Sequence, residues 1–310
     1  MKSNGNGKGE AFAVAHVDQA LGFTLPSRHA RGRVVRLGAV LDTVLSAHGY
    51  PPVVGRLLAE ALTLTALLGS TLKDAGGQLT LQAQTEGGVV DLLVCDYKGG
   101  EMRGYVRHDP ERLAEAPADP SLFALFGRGY LAITFDQAAS GERYQGIVPL
   151  EGGSLAAAAE SYFTQSEQLP SMVRLATVDN SAVGHVAGGI LIQHLPEGEE
   201  GRERLHVREN REDWNHVAAL GGTIRDTELT DATLPLEAIP WRLFHEEDEV
   251  RVLPVTTLSN NCRCNADHIR SVIARFPADE RAEMADSEGM IHVDCEFCSR
   301  RYSFALSEFA

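Results

Sequence analysis

The chain of 310 residues is too long for one comfortable hydrophobic core, so two or more folding units are expected. Its 44% hydrophobic and 23% charged residues are typical of a globular protein and exclude global disorder. The formal charge of -15 disfavours phosphate backbones and acidic membrane surfaces as partners.

The N-terminal residues predict a flexible tail on a cytoplasmic protein. Residues 1–10 are rich in Gly and Asn, and the AFAVA that follows is too short for the apolar region of a signal peptide. The apolar stretch 57–68 carries Glu60 and spans only 12 residues, so it predicts a core helix rather than a membrane span.

Residues 1–196 predict an α+β domain with an antiparallel sheet and packed helices, because helices and hairpins occur in separate blocks. Apolar residues at helical spacing after Pro51 predict a helix over 52–72, and Ser154 is expected to begin another that extends to residue 169. Alternating runs predict a three-stranded meander over 78–109 and further strands at 130–136, 143–150, 174–179 and 187–195.

Residues 197–261 predict a charged, weakly held linker. Between residues 197 and 216, 11 of 20 side chains are Asp, Glu, Lys or Arg. Helical fragments are predicted at 212–220 and 235–247. They are marginal alone and need an apolar surface to dock on. The apolar face of the second fragment consists of Leu236, Ile239, Leu243 and Phe244.

Four of the five cysteines lie in two close pairs near the C-terminus, Cys262-x-Cys264 and Cys295-x-x-Cys298, separated by 30 residues. Two such pairs are what tetrahedral zinc takes in a closed site. Residues 262–310 therefore predict a small zinc-binding domain, which is too short to hold a core easily without a metal.

The residues around the cysteines predict a helix over 266–276, capped by Asn265, and a hairpin over 291–304 that bends at the second pair. Because four cysteines complete the ligand set, His268 and His292 are not expected to bind the metal.

Two functions of a zinc site remain open from the residues alone. The site can be an unchanging structural staple, or it can respond to oxidants, because sulfur ligands about 3.8 Å apart allow one oxidised sulfur to be attacked by its neighbour. A CxxC pair closes into a disulfide with less strain than a CxC pair. Cys295 and Cys298 are therefore expected to oxidise before Cys262 and Cys264.

A zinc ribbon that binds RNA or a ribosomal component is the main alternative. Against it, residues 262–310 contain six Arg and no Lys beside nine Asp or Glu. The aromatic side chains of this segment are expected in its own small core; they are Phe297, Tyr302 and Phe304.

An enzyme on the N-terminal domain is the third possibility, but no catalytic motif supports it. GNGKGE lacks the strand and the ending of a phosphate loop, and HEEDE at 245–249 lacks the second histidine of a zinc protease. Cys95 lies in an apolar strand and is expected to be a buried, inert thiol. Core packing is favoured over contact with a partner protein for a further group of side chains, which comprises Tyr162, Phe163 and Leu169, and Met172 is ambiguous in the same way.

The sequence resembles the 33-kDa chaperonin family of redox-regulated heat-shock holdases, both at the four clustered cysteines and along most of the chain. The stretches HGYPPVVGRLLAEALTLTALLGSTLK, GGQLTLQAQTEGG, AGGILIQHLP and WRLFHEEDEVRV occur in family order, and the resemblance covers all but about the first ten residues.

The resemblance implies a chaperone that needs no ATP and is inactive when reduced and zinc-bound. On oxidation, one disulfide is expected between Cys262 and Cys264 and another between Cys295 and Cys298. Zinc then leaves, residues 197–310 unfold, a homodimer is favoured, and unfolding client proteins bind. Clients later pass to ATP-dependent chaperones.

Overall fold

The computed structural model describes residues 16–72, 76–118, 120–150, 153–180, 184–195 and 211–309. The predicted N-terminal tail, the GNGKGE motif and most of the charged stretch after residue 196 lie outside these residues. The strands are β1 (Gln19–Leu25), β2 (Ala30–Leu37), β3 (Gln78–Gly87), β4 (Val90–Lys98), β5 (Glu101–His108), β6 (Gly127–Asp136), β7 (Arg143–Pro149), β8 (Ser171–Asn180), β9 (Gly184–His194), β10 (Arg251–Val252), β11 (Thr256–Thr257), β12 (Ser259–Asn260), β13 (Met290–Asp294) and β14 (Arg301–Ala305).

The helices are α1 (Ala39–Ser46), α2 (Pro52–Gly69), α3 (Pro110–Glu115), α4 (Leu122–Phe126), α5 (Leu155–Tyr162), α6 (Arg211–Gly221), α7 (Asp226–Leu229), α8 (Ala238–Phe244), α9 (Ala266–Ile273) and α10 (Ala278–Met284). Together with the mainly antiparallel sheets, they confirm the predicted α+β class.

The first sheet has the strand order β10-β1-β2-β9-β8, and β11 also pairs with β1. The strands predicted near 174–179 and 187–195 are β8 and β9, which pair antiparallel. No element was predicted for residues 19–37, yet they form the central hairpin β1–β2. Both faces of this sheet are covered, so β1 is buried almost continuously and shows no alternation.

The second sheet has the order β12-β5-β4-β3-β6-β7. It contains the predicted meander as β3, β4 and β5, and the predicted pair 130–136 and 143–150 as β6 and β7. One face of β3 is buried through Leu79, Leu81 and Ala83, while the intervening residues are half-buried or exposed. This half-buried face explains why alternation in the sequence identified the strands.

Helix α2 fills the space between the two sheets and packs against strands of both. It begins after Pro51, as predicted. Among the described residues it is the one helix long and apolar enough to cross a membrane. However, 72% of its 18 residues are buried inside the protein. The expectation of a core helix is therefore confirmed.

Helix α5 begins at the predicted cap, where the Ser154 hydroxyl accepts a hydrogen bond from the amide of Ala157 at 3.2 Å. The α-helix ends at Tyr162, earlier than predicted, and a π-helical turn follows over Phe163–Glu167. Tyr162, Phe163 and Met172 are buried, as core packing requires, and Leu169 is half-buried.

The described part of the predicted linker packs on the outer face of the first sheet. Helices α6 and α8 agree with the two predicted fragments, and α6 ends at Gly221. All four residues of the apolar face predicted for the second fragment are buried against β1 and β2 residues such as Phe23 and Val34, and three of them lie on α8. The fragments therefore have the apolar surface that their marginal length requires.

Residues 251–260, which we call the strap, join the edges of the two sheets. Strands β10 and β11 pair with β1 of the first sheet, and β12 pairs parallel with β5 of the second. Between them, Leu258 is 3% exposed and lies in the main core. Its amide donates to the carbonyl oxygen of Asp18 at 2.7 Å. The strap therefore connects the linker helices to residues 262–309, which we call the cysteine segment. It runs along the surface of the two-sheet domain, which we call the body.

Replacing Leu258 by alanine should destabilise the strap by about 3 kcal/mol, because the change removes buried methyl groups and leaves a cavity. Leu253 of the same strap is 42% exposed. Leu253→Ala is thus the matched control and should have little effect. Hydrogen exchange at residues 256–261 measures both variants, and equal protection in the two would contradict the assigned role of Leu258.

Candidate metal centre

The four C-terminal cysteines lie together in the structure. The sulfur atoms of Cys262 and Cys295 are 3.6 Å apart, as are those of Cys264 and Cys298. All four sulfurs lie within 4.8 Å of one another, and each side chain is half-buried. Among the described residues, this is the group of side chains that could hold a metal ion.

Two short segments position the sulfurs. Cys262 and Cys264 lie between β12 and α9, whose first turn is capped as predicted by Asn265 through a 2.7 Å hydrogen bond from the amide of His268. Cys295 and Cys298 lie in the turn between β13 and β14. The amides of Cys298 and Ser299 both donate to the carbonyl of Cys295, which folds this turn around the second pair.

The segment has a very small core of its own. Ile273, Ile291 and Phe304 are its buried apolar residues, and partly buried neighbours surround them. Helix α9 ends at Ile273, slightly earlier than predicted, and the hairpin occupies the predicted region. A core of this size contributes little stability, so cross-linking by a metal suits the segment.

The ionisation of the thiols differs from one to another. Burial opposes ionisation of Cys264, but a 3.1 Å hydrogen bond from the Tyr302 hydroxyl and the neighbouring thiols outweigh it and lower the pKa of Cys264 to about 7. Burial raises the pKa of Cys262 to about 12 and also raises the pKa of Cys298. A divalent cation at the centre would instead hold all four sulfurs as thiolates.

The donor set fits a tetrahedral ion. Sulfur ligands about 2.3 Å from such an ion lie about 3.8 Å from one another, which is close to the 3.6 Å separations observed. Four sulfur ligands in this geometry suit zinc or iron. The arrangement can also be oxidised, because each sulfur has another within reach after a small movement.

The two nearby histidines lie outside the sulfur cluster. The ring of His292 lies 2.8 Å from the Ser303 hydroxyl and 3.1 Å from a carboxylate oxygen of Asp286. His268 is exposed in the first turn of α9. Neither joins the group of four sulfurs.

Cys95 lies outside this group, on β4, with its side chain fully buried beneath α2. Burial raises the pKa of its thiol well above the usual range. Cys95 should therefore resist iodoacetamide in the native protein and react fully in guanidinium chloride. Peptide mass spectrometry measures this, and rapid native alkylation of Cys95 would show that its buried position is wrong.

One prediction about the cysteine segment is wrong. Phe297 does not pack in the segment's own core, which Phe304 occupies and Tyr302 borders. Its ring instead contacts the body, edge-on to Tyr105 with ring centroids 4.9 Å apart. No sequence pattern indicated this contact, because spacing alone does not show which surface an aromatic side chain meets.

Glu247 of the HEEDE motif has a structural role that the composition of the motif did not indicate. Its side chain is 4% exposed and pairs with Arg28 at 2.7 Å and with the ring of His216 at 2.6 Å. This carboxylate is therefore paired and nearly buried, which the acidic composition of the motif did not indicate. It joins the linker helices to the first hairpin of the body.

Comparisons with known proteins agree over most of the chain. The family model described as Hsp33 protein matches residues 18–305. A 33 kDa chaperonin of Caulobacter vibrioides is 45% identical over 293 residues, which cover 92% of this chain and 94% of that protein. A 33 kDa chaperonin of Shewanella frigidimarina is 38% identical over 288 residues and 93% of both chains.

A solved structure has the same fold. The crystal structure of a 33 kDa chaperonin (heat shock protein 33 homolog) from Thermotoga maritima aligns with a TM-score of 0.78 and covers 94% of this chain and 96% of that one. The sequence identity in this alignment is 21%, so the likeness establishes the architecture alone.

Proposed function

Since this chain belongs to the Hsp33 family, and is thus a chaperone that binds client proteins, we propose that it is a holdase that needs no ATP and is activated by oxidation. The observation that carries this proposal is the cluster of four sulfurs at the end of a linker that packs on the body. The protein acts by binding rather than by catalysis. Family membership favours this function over the RNA-binding zinc ribbon.

The metal of the reduced state is zinc, held by Cys262, Cys264, Cys295 and Cys298. The separations of the sulfurs and the absence of other donor types from the cluster support this assignment. In a reducing cytoplasm, where we place the protein, thiolates persist and zinc stays bound. The bound ion stabilises residues 262–310 as a folded domain.

Oxidation forms one disulfide between Cys262 and Cys264 and a second between Cys295 and Cys298, with the second formed first. In each pair, two thiolates lose two electrons to one peroxide molecule, which takes up two protons and leaves as two waters. Zinc loses its ligands and dissociates. Both 3.6 Å separations join a cysteine of one pair to a cysteine of the other, so peptide mapping of the oxidised protein distinguishes this pairing from crossed disulfides.

Loss of the metal releases the linker, residues 197–261, from the body. The apolar outer face of the first sheet then becomes available, including Leu21, Phe23 and Val34, which α6 and α8 now help to bury. Large apolar patches bind unfolding chains. The oxidised protein forms a homodimer and passes its clients to ATP-dependent chaperones.

The proposed function is tested with zinc-loaded reduced protein treated with peroxide at raised temperature. A chromophoric chelator follows zinc release, and light scattering follows the aggregation of a thermally unfolding client with and without ATP. We expect suppression of aggregation by the oxidised protein only, unaffected by nucleotide. Equal suppression in both redox states would show that the four cysteines form an unchanging structural site.

A further inference from the structure

One residue between the cysteines of each pair contacts the two-sheet body. Arg263 is the spacer between Cys262 and Cys264. One of its guanidinium nitrogens lies 3.1 Å from a carboxylate oxygen of Asp96 on β4, and another donates to the amide oxygen of Gln78 at 3.2 Å. The first cysteine pair is thus attached to the second sheet through its own spacer.

Phe297 attaches the second cysteine pair to the body. The guanidinium carbon of Arg103 on β5 lies 3.9 Å from the centroid of the Phe297 ring, and Tyr105 meets the ring edge-on. In addition, Nε2 of His48 lies 3.4 Å from the backbone carbonyl oxygen of Phe297. The aromatic spacer is therefore held between a cation, a second ring and a backbone contact.

Both spacers meet at one ion pair of the body. Arg103 pairs with Asp96 at 2.6 Å, and the Thr80 hydroxyl donates to the same carboxylate at 2.7 Å. Asp96 is 4% exposed, so its carboxylate needs polar partners within the protein, and Arg263 supplies a second guanidinium to it. The two cysteine pairs are separate in sequence but converge on the Asp96–Arg103 pair.

We propose that Arg263 and Phe297 form a two-part latch that holds the metal-bound cysteine segment on strands β4 and β5. The latch deepens the proposed redox function and rests on it for its role in activation. Each of these two residues lies between the cysteines of its pair, so closing the pair into a disulfide changes the local backbone and redirects the side chain. Oxidation of either pair then releases one part of the latch.

The latch explains how a change at the sulfurs reaches the linker. The strap ends at Asn260, and the amide of Asn261 donates to the carbonyl of Met102 on β5, one residue before Arg103. Release of Arg263 and Phe297 frees the end of the strap. Pairing between β12 and β5, which joins only two residues of each strand, then loses its support on the C-terminal side.

Hydrogen exchange on full-length, reduced, zinc-loaded protein tests the latch without any oxidant. Phe297→Ala and Arg263→Ala should each accelerate exchange at residues 258–261 about 5- to 30-fold, the range for losing one or two modest contacts. Zinc content, measured in parallel, should equal that of the wild type.

The chain offers matched controls for each variant. Glu296 is the other spacer of the second pair and is exposed, so Glu296→Ala should leave exchange unchanged. Arg301 pairs with Asp294 inside the cysteine segment, so Arg301→Ala controls for loss of an arginine. Arg103→Ala alters the body side of the latch alone and should accelerate exchange at residues 258–261 even if Phe297→Ala or Arg263→Ala loses zinc.

The latch would be overturned if residues 258–261 exchange at the wild-type rate in all three variants, Phe297→Ala, Arg263→Ala and Arg103→Ala. Acceleration by the controls to the same extent would overturn it too, because the effect would then be general. Failure of the proposed function gives a different result, since wild-type protein would then stay inactive after peroxide treatment whatever the exchange of the reduced variants.

Discussion

Removing the metal from the reduced protein should unfold residues 262–309 while the two-sheet body stays folded. The segment buries only a few apolar side chains, centred on Ile273, Ile291 and Phe304, so its own core contributes little. Zinc in comparable small sites contributes about 10 to 16 kcal/mol of apparent folding free energy. No other single change to this chain should have a larger effect.

Hydrogen exchange before and after chelation under reducing conditions measures this unfolding. Amides of α9 and of the β13–β14 hairpin should lose protection, and those of α2 should keep it. Cys264→Ala should reproduce the effect of the chelator, whereas Cys95→Ala, which changes a buried thiol outside the cluster, should not. Full protection of the hairpin in metal-free protein would sink the assignment of a metal-dependent fold.

Replacing Arg36 by methionine should detach the segment around α7 from the body. Arg36 is fully buried on β2 and donates to the carbonyl oxygens of Leu229 at 2.8 Å, Leu234 at 2.6 Å and Glu228 at 3.0 Å. Burial lowers the pKa of Arg36 to about 10, so the side chain stays charged at neutral pH. Losing its donors leaves the two fully buried carbonyls, those of Leu229 and Leu234, unsatisfied. The cost is about 1–3 kcal/mol for each, or about 2–6 kcal/mol in total.

The expected result is fast hydrogen exchange over residues 226–236 in reduced, zinc-loaded Arg36→Met. Arg33 provides the control, since it lies on the same strand but donates to backbone carbonyls of the body at Ser70 and Gly32. Arg33→Met should leave residues 226–236 protected. If Arg36→Met also leaves them protected, the carbonyl contacts do not hold the linker.

The sequence was sufficient where local chemistry decides the structure. The helix after Pro51, the Ser154 and Asn265 caps and the strands of the second sheet follow from proline, capping and alternation, which act over a few residues. The cysteine spacing likewise indicated a cluster, because metal geometry demands two close pairs.

The sequence was insufficient where a residue's partner lies far along the chain. Strand β2 contains three arginines and resembles a surface segment, yet Arg36 is buried because carbonyls about 190 residues away accept its hydrogen bonds. Phe297 was misplaced and the pairing of Glu247 was missed for the same reason, since their partners Arg28, Arg103 and Tyr105 are brought near only by the complete fold. Periodicity describes one element and contains no information on such pairings.

The strap covers the outer edge of β1 in one sheet and of β5 in the other. Its departure would leave the amide and carbonyl groups along two strand borders without partners at the same time. An extended polypeptide can satisfy such groups by adding itself as a further strand, through main-chain atoms that every amino acid possesses. Recognition of this kind is indifferent to side-chain identity, so the opened molecule could hold many unrelated chains with a single pair of borders.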